Sequence, residues 1–188
     1  MNLNLYKNSY EVDEVLECMA ANLWLYLSGN PSCDKKCIIT LLKGGNFTAS
    51  SIVRKLRLNI CDDVIFDYLG LSSYGHGTVS SKHVEVTYPL ELAEDVVGDR
   101  IVWLIDDIKD TGLTLWVAKE IVKKKYPNAT VRTAVLINKP NAHSEHVPKY
   151  IPDIIGFDYT GDKFLVGCGL GLGEQLRGVP ELYEMEEE

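Results

Sequence analysis

Residues 101–115, IVWLIDDIKDTGLTL, constrain this chain more than any other stretch. An apolar run ends in two adjacent carboxylates, Asp106 and Asp107. Asp110 follows, then the loop Thr111-Gly112-Leu113-Thr114, then helix-forming sequence. Backbone amides of a loop that opens onto a helix are unpaired and point outward, and the helix dipole favours an anion there. Gly112 allows close approach of the main chain, and the Thr111 and Thr114 hydroxyls add donors. The run therefore suits a phosphate monoester next to carboxylates able to hold a cation or a sugar diol. A plain strand-to-helix turn with Asp110 as N-cap uses the same residue types. What favours the phosphate cradle is the full ordered set of parts behind one buried strand.

The flanking sequence predicts the scaffold. Residues 11–27 carry Val12, Val15, Leu16, Met19, Leu23 and Leu27 near a 3.6-residue period, which predicts a helix ended by Gly29-Asn30-Pro31. Cys37 to Leu42 is a short continuous apolar run, as in a strand buried on both faces. Lys43-Gly44-Gly45 follows it, and Asn46 to Leu56 reads as a helix. Asp63 to Leu71 reads as a strand, Ser72 to Ser81 as a small, polar, mobile loop, and His83 to Tyr88 as an alternating strand beside that loop. Ile101 to Ile105 is the central strand, Leu113 to Lys125 a helix ended near Pro127, and Val131 to Ile137 the next strand. Two further apolar runs, DIIGF and KFLVGC, lie within 151–168, and the acidic tail Glu184 to Glu188 reads as solvated. Strands alternating with helices imply an α/β fold with an open, mainly parallel twisted sheet flanked by helices. Ligands of such sheets sit outside the carboxyl ends of the strands. Lys43-Gly44-Gly45, Asp106 to Thr114, and Asn138-Lys139 all fall there.

Composition narrows the function classes. A length of 188 residues suits one domain with a substantial core. A net charge of −8 argues against nucleic-acid or anionic-membrane partners, which need a basic face. No window approaches a membrane span and no apolar leader is visible, so the cytoplasm is the expected compartment. The five cysteines are odd in number and irregularly spaced, as for reduced thiols; Cys33-x-x-x-Cys37 lacks a complementary pair for a metal. His143 and His146 lie between Pro140 and Pro148 and read as a solvated loop rather than a metal site. His76, in the predicted loop, is a further acid-base candidate.

The run Asp106 to Thr114 resembles the signature of type I phosphoribosyltransferases, whose substrate is phosphoribosyl pyrophosphate. Four more segments resemble their hypoxanthine-guanine branch, from about residue 35 to 178. Leu42-Lys43-Gly44-Gly45 is similar to its pyrophosphate loop, where the peptide before the lysine is often cis. Ser72-Ser73-Tyr74-Gly75 is similar to the start of its closing lid, about 72–85 here. Asn138-Lys139-Pro140 is similar to its base-reading segment. Asp162 to Gly167 with Arg177 is similar to its C-terminal hood, about 150–188 here, within one domain. The resemblance implies a magnesium-dependent enzyme that transfers ribose 5-phosphate to a purine base, and a homo-oligomer, dimer or tetramer. It implies that Asp106 and Asp107 hold the ribose hydroxyls and magnesium, and that Asp110, Thr111, Gly112, Leu113 and Thr114 bind the 5-phosphate. Asp110 would be the acid/base near the purine N7. Lys43, Gly44, Ser73, Tyr74 and Arg177 would meet pyrophosphate. Lys139, Phe164 and Leu165 would bind the base.

By residue type alone, Lys139 reads equally as a solvated charge, Phe164 as core, and Arg177 as a surface partner of Glu174. Two segments depart from the family pattern. An aspartate that helps hold a second magnesium is replaced by Gly171, in the stretch Gly167-Cys-Gly-Leu-Gly-Leu-Gly173, and the basic residues after the Lys-Pro pair are replaced by Ala142 and His143. These departures keep a second reading open, a non-catalytic sensor of phosphoribosyl pyrophosphate with the same fold.

Overall fold

In the computed structural model, which describes residues 2–28, 35–56, 63–73, 84–145 and 147–186, the chain begins with strand β1 (Leu3–Lys7) and helix α1 (Ser9–Ser28). The helix starts two residues earlier than its apolar period alone predicts, because Asn8 caps it. The Asn8 carboxamide oxygen accepts from the Tyr10 and Glu11 amides at 3.0 Å each, and Glu11 accepts from the Asn8 amide at 3.0 Å. That reciprocal pair satisfies amides the helix cannot satisfy itself. Val12, Leu16, Met19 and Leu23 form the buried stripe.

Strand β2 (Lys35–Leu42) leads into α2 (Gly45–Lys55), β3 (Asp63–Ser73), β4 (Val84–Tyr88) and the single-turn α3 (Glu94–Val97). Then come β5 (Ile101–Lys109), α4 (Leu113–Lys125), β6 (Thr130–Asn138), β7 (Ile154–Asp158), β8 (Phe164–Val166) and β9 (Leu182–Met185). The main sheet has the order β4-β3-β2-β5-β6-β7; all pairs are parallel except β3 with β4. Strands β2 and β5 at its centre are buried on both faces. Ile38 packs with α1 and α2 on one face, while Cys37, Ile39 and Leu41 pack with Leu115, Ala118 and Val122 of α4 on the other. Each such aliphatic side chain is worth ~1.5–3 kcal/mol of burial, so three layers are held by one central sheet.

The larger differences from the sequence expectations lie elsewhere. The central strand does not stop at Ile105; β5 continues to Lys109, since Ile108 and Lys109 still pair with Ile137 and Asn138 of β6. Asp106 and Asp107 thus stand on a rigid strand. Ser72 and Ser73 belong to β3, paired with Glu85 and Val84, rather than to a loop. KFLVGC yields only a three-residue strand, β8, and it lies outside the main sheet. The tail is not wholly solvated: Leu182 to Met185 form β9, which sits between β1 and β8 in a second, antiparallel sheet. Tyr159 donates to Glu184 at 2.8 Å. No helix among the described residues is long and apolar enough to cross a membrane.

Candidate active site

Because β2, β5 and β6 run parallel, their carboxyl ends bring Lys43-Gly44-Gly45, Asp106 to Thr114, and Lys139 to one edge. The Leu42–Lys43 peptide is cis. A cavity of about 280 Å³ opens there, walled by Lys43 and Gly44, the acid pair, Lys109, the loop 110–114 and Arg177. The two glycines are a steric requirement. A β-carbon on Gly44 would lie 1.8 Å from Asp107 Oδ2, and one on Gly45 would lie 2.7 Å from the Ile105 carbonyl oxygen. The turn after β2 is thereby pressed against the carboxylates of β5.

Asp106 and Asp107 are 7% and 8% exposed. Burial, then the neighbouring Asp107 charge, pushes the Asp106 carboxyl well above the usual carboxylate range; burial also raises Asp107, opposed by its hydrogen bond with Asp106 and by the Arg177 charge. The pair is anchored by the Asp107 amide on Asp106 Oδ1 at 2.9 Å and the Ile108 amide on Asp107 Oδ1 at 2.8 Å. Two buried carboxylates pressed together are under-compensated, and a cation or sugar hydroxyls would relieve them. Such hard oxygen donors suit magnesium, which takes one or two carboxylates and completes its shell with water and substrate oxygens.

This electrostatic cost yields a prediction. A carboxyl whose folded pKa is raised binds its proton more tightly folded than unfolded, so stability is greatest at low pH and is lost as pH rises through the folded value. At neutral pH the pair therefore opposes folding. Asp106→Asn should raise the melting temperature while weakening ligand affinity; a fall in melting temperature at pH 7 would contradict it.

The loop after β5 opens onto α4 through Gly112, whose φ of 88° places it in the left-handed region. No side chain caps this helix, and Asp110 is not its N-cap. The first-turn amides are therefore left for a ligand. Asp110 is half-exposed, with Oδ1 3.7 Å from the Lys139 ammonium. Lys139 is mostly covered, and its ammonium lies 5.8 Å from the Tyr159 ring centroid.

A second cavity, of about 450 Å³, adjoins the first. Lys139, Asp162, Phe164, Leu165 and Gly171 line it, and Asp107, Ile108, Asp110 and Arg177 line both. Phe164 is 40% exposed and so is not core, whereas Leu165 is buried. Arg177 makes no hydrogen bond to Glu174: its Nη1 donates to the Gly169 carbonyl at 2.9 Å and Nη2 to the Gly173 carbonyl at 3.1 Å. Glu174 instead accepts from Lys43 at 3.0 Å. The Arg177 side chain fills the space beside Gly171, where a β-carbon would lie 2.8–2.9 Å from three of its atoms. A larger residue at 171 would displace the guanidinium.

Ser73 closes β3, and Tyr74 lies outside the described residues, as do His76 and His146. Cys33 is outside them too; Cys18, Cys37 and Cys168 are free thiols. Among the described residues no cluster of three or more His, Cys, Asp or Glu side chains could hold a metal on its own. Sequence reasoning missed Tyr159 and Lys109. Of these only Lys109 left a local signal, a lysine ending a strand whose other residues are apolar or acidic. Burial lowers its pKa, partly offset by Asp110.

A family model described as a phosphoribosyl transferase domain matches residues 11–170. The chain is 33% identical over 151 residues to the hypoxanthine-guanine phosphoribosyltransferase of Aquifex aeolicus, spanning 80% of this chain and 78% of that one. It is 34% identical over 152 residues to that of Dictyostelium discoideum, spanning 80% and 79%. Its fold matches a solved hypoxanthine-guanine phosphoribosyltransferase from Bacillus anthracis with a TM-score of 0.79 at 22% identity, covering 99% of this chain and 100% of the other. With a parallel sheet whose carboxyl edge carries the acid pair and the uncapped loop, and with relatives matching over four-fifths of its length, the chain belongs to the phosphoribosyltransferase family, in its hypoxanthine-guanine branch.

Proposed function

We propose that the protein transfers ribose 5-phosphate from phosphoribosyl pyrophosphate to a 6-oxopurine base, releasing pyrophosphate. One observation carries this reading: the two cavities meet at Asp107, Ile108, Asp110 and Arg177. A sugar phosphate in the first would present its anomeric carbon to a base in the second, and holding both reactants in one geometry supplies much of the rate.

In this reading the 5-phosphate sits on the amides of Thr111 to Thr114, and the ribose hydroxyls on Asp106 and Asp107. Those carboxylates would stabilise the oxocarbenium-like charge on the sugar. They would also hold magnesium, which when bound neutralises the leaving pyrophosphate. The Lys43 ammonium, the Gly44 main chain and Arg177 receive pyrophosphate, joined by Ser73 and Tyr74. The Lys43–Glu174 pair must then open, at little cost because both partners are exposed. Lys139 donates to the six-position oxygen of the base, Phe164 stacks on the ring, and the Leu165 main chain meets its edge. Asp110 accepts the proton from N7 as N9 bonds to the sugar. The small sheet β1-β9-β8 and its turns form the hood over the base.

The direct test incubates the pure protein with phosphoribosyl pyrophosphate, magnesium and hypoxanthine, guanine or xanthine in turn, and follows nucleotide by absorbance. Absence of nucleotide with every base would sink the reading. Lys139→Ala should raise KM for 6-oxopurines by roughly 10-fold or more, the scale of a lost charge-assisted hydrogen bond. The KM for phosphoribosyl pyrophosphate should stay near its native value, and equal rises in both constants would discredit the base-reading role.

A further inference from the structure

The proposed phosphate cradle lacks a cation of its own: Asp110-Thr111-Gly112-Leu113-Thr114 contains no lysine or arginine. One lies immediately behind it. Lys109, the last residue of β5, is 7% exposed and lines the same cavity as the loop. Its Cε is 3.6 Å from where a β-carbon on Gly112 would be. The ammonium donates to the Lys139 carbonyl at 3.0 Å and the Ala142 carbonyl at 3.1 Å, which uses two of its three N–H groups among the described residues. No carboxylate pairs with it among the described residues. Its hydrogen bonds go to neutral carbonyls, and the charges of Asp110 and Asp158 offset its burial only in part, so an incoming anion gains from it.

Two more observations point the same way. The main chain ties the same parts together, with the Lys139 amide on the Lys109 carbonyl at 2.9 Å and the Ser144 amide on the Thr111 carbonyl at 3.2 Å. The Tyr150 ring edge lies 3.7 Å from the same Gly112 position, and its hydroxyl is buried with no partner among the described residues. The floor of the loop is thus polar and positive.

We propose that Lys109 is a positioning residue for the sugar phosphate: its buried ammonium supplies the cradle's side-chain positive charge from beneath, while its carbonyl contacts hold the Lys139 turn in register with the loop. The proposal rests on the reading of residues 110–114 as the 5-phosphate site. Its test uses the native chain and the variants Lys109→Gln, Lys109→Arg and Lys109→Met, with ribose 5-phosphate as calorimetric probe and steady-state kinetics alongside. Glutamine keeps a donor for the carbonyls and removes the charge. Lys109→Gln should weaken ribose 5-phosphate binding about tenfold or more and raise KM for phosphoribosyl pyrophosphate, with KM for the base unchanged. Lys109→Arg should recover affinity, and Lys109→Met should lose both functions. Native ribose 5-phosphate affinity in Lys109→Gln would overturn the charge assignment and leave only a carbonyl cap. A native chain that binds no ribose 5-phosphate would overturn the reading of the loop itself, and this proposal with it.

Discussion

Asp110→Asn is expected to cut turnover about 10²-fold or more, the usual scale for loss of a general acid or base, while phosphoribosyl pyrophosphate still binds. Asparagine matches aspartate in shape and keeps an oxygen facing Lys139, but it cannot take a proton. Asp110 is half-exposed, and its nearest cation, the Lys139 ammonium, is 3.7 Å away, so the exchange leaves no buried charge unpaired. The fold and the acid pair should be untouched. Measuring kcat with hypoxanthine, and calorimetric affinity for phosphoribosyl pyrophosphate, separates chemistry from binding. An unchanged kcat would defeat the proton-transfer role.

Gly44→Ala is expected to be comparably damaging by a different route. Its β-carbon would fall 1.8 Å from Oδ2 and 2.5 Å from Cγ of Asp107. The carboxylate cannot swing away freely, being buried and held by the Ile108 amide at 2.8 Å. Either the turn after β2 retreats or Asp107 leaves its position. A displacement near 1 Å at a reacting centre costs on the order of 10²-fold in rate, so kcat/KM should fall at least that far with circular dichroism unchanged. Gly178→Ala is the control, since a β-carbon there meets nothing within 4 Å. Native kcat/KM in Gly44→Ala would show that the turn is not pressed on the acid pair as described.

Departures from the family pattern acquire a physical meaning in three dimensions. Gly171 leaves room for Arg177, whose guanidinium is fixed by the Gly169 and Gly173 carbonyls and helps hold down the Asp107 pKa. Where the wall could have carried a carboxylate it carries a cation. The loop 110–114 holds no basic residue, and Lys109 lies directly before it in the chain.

The sheet and the loop between β5 and α4 were legible in the sequence because their signals are local. A buried parallel strand is an unbroken apolar run, a helix a 3.6-residue period, and the loop 110–114 an ordered set of adjacent residues, so each is encoded within a dozen positions. Tertiary structure alone decided the rest, where partners are far apart along the chain. Lys43 meets Glu174 across 131 positions, Gly44 and Gly45 meet the carboxylates of β5, and β1 pairs with β9 from the opposite terminus. Likewise, Lys109 is a buried cation and not a solvated one only because the 139–142 turn folds over it. Periodicity cannot report such contacts, since they arise when elements specified separately are packed against one another, and packing sets burial, charge balance and the space a side chain may occupy.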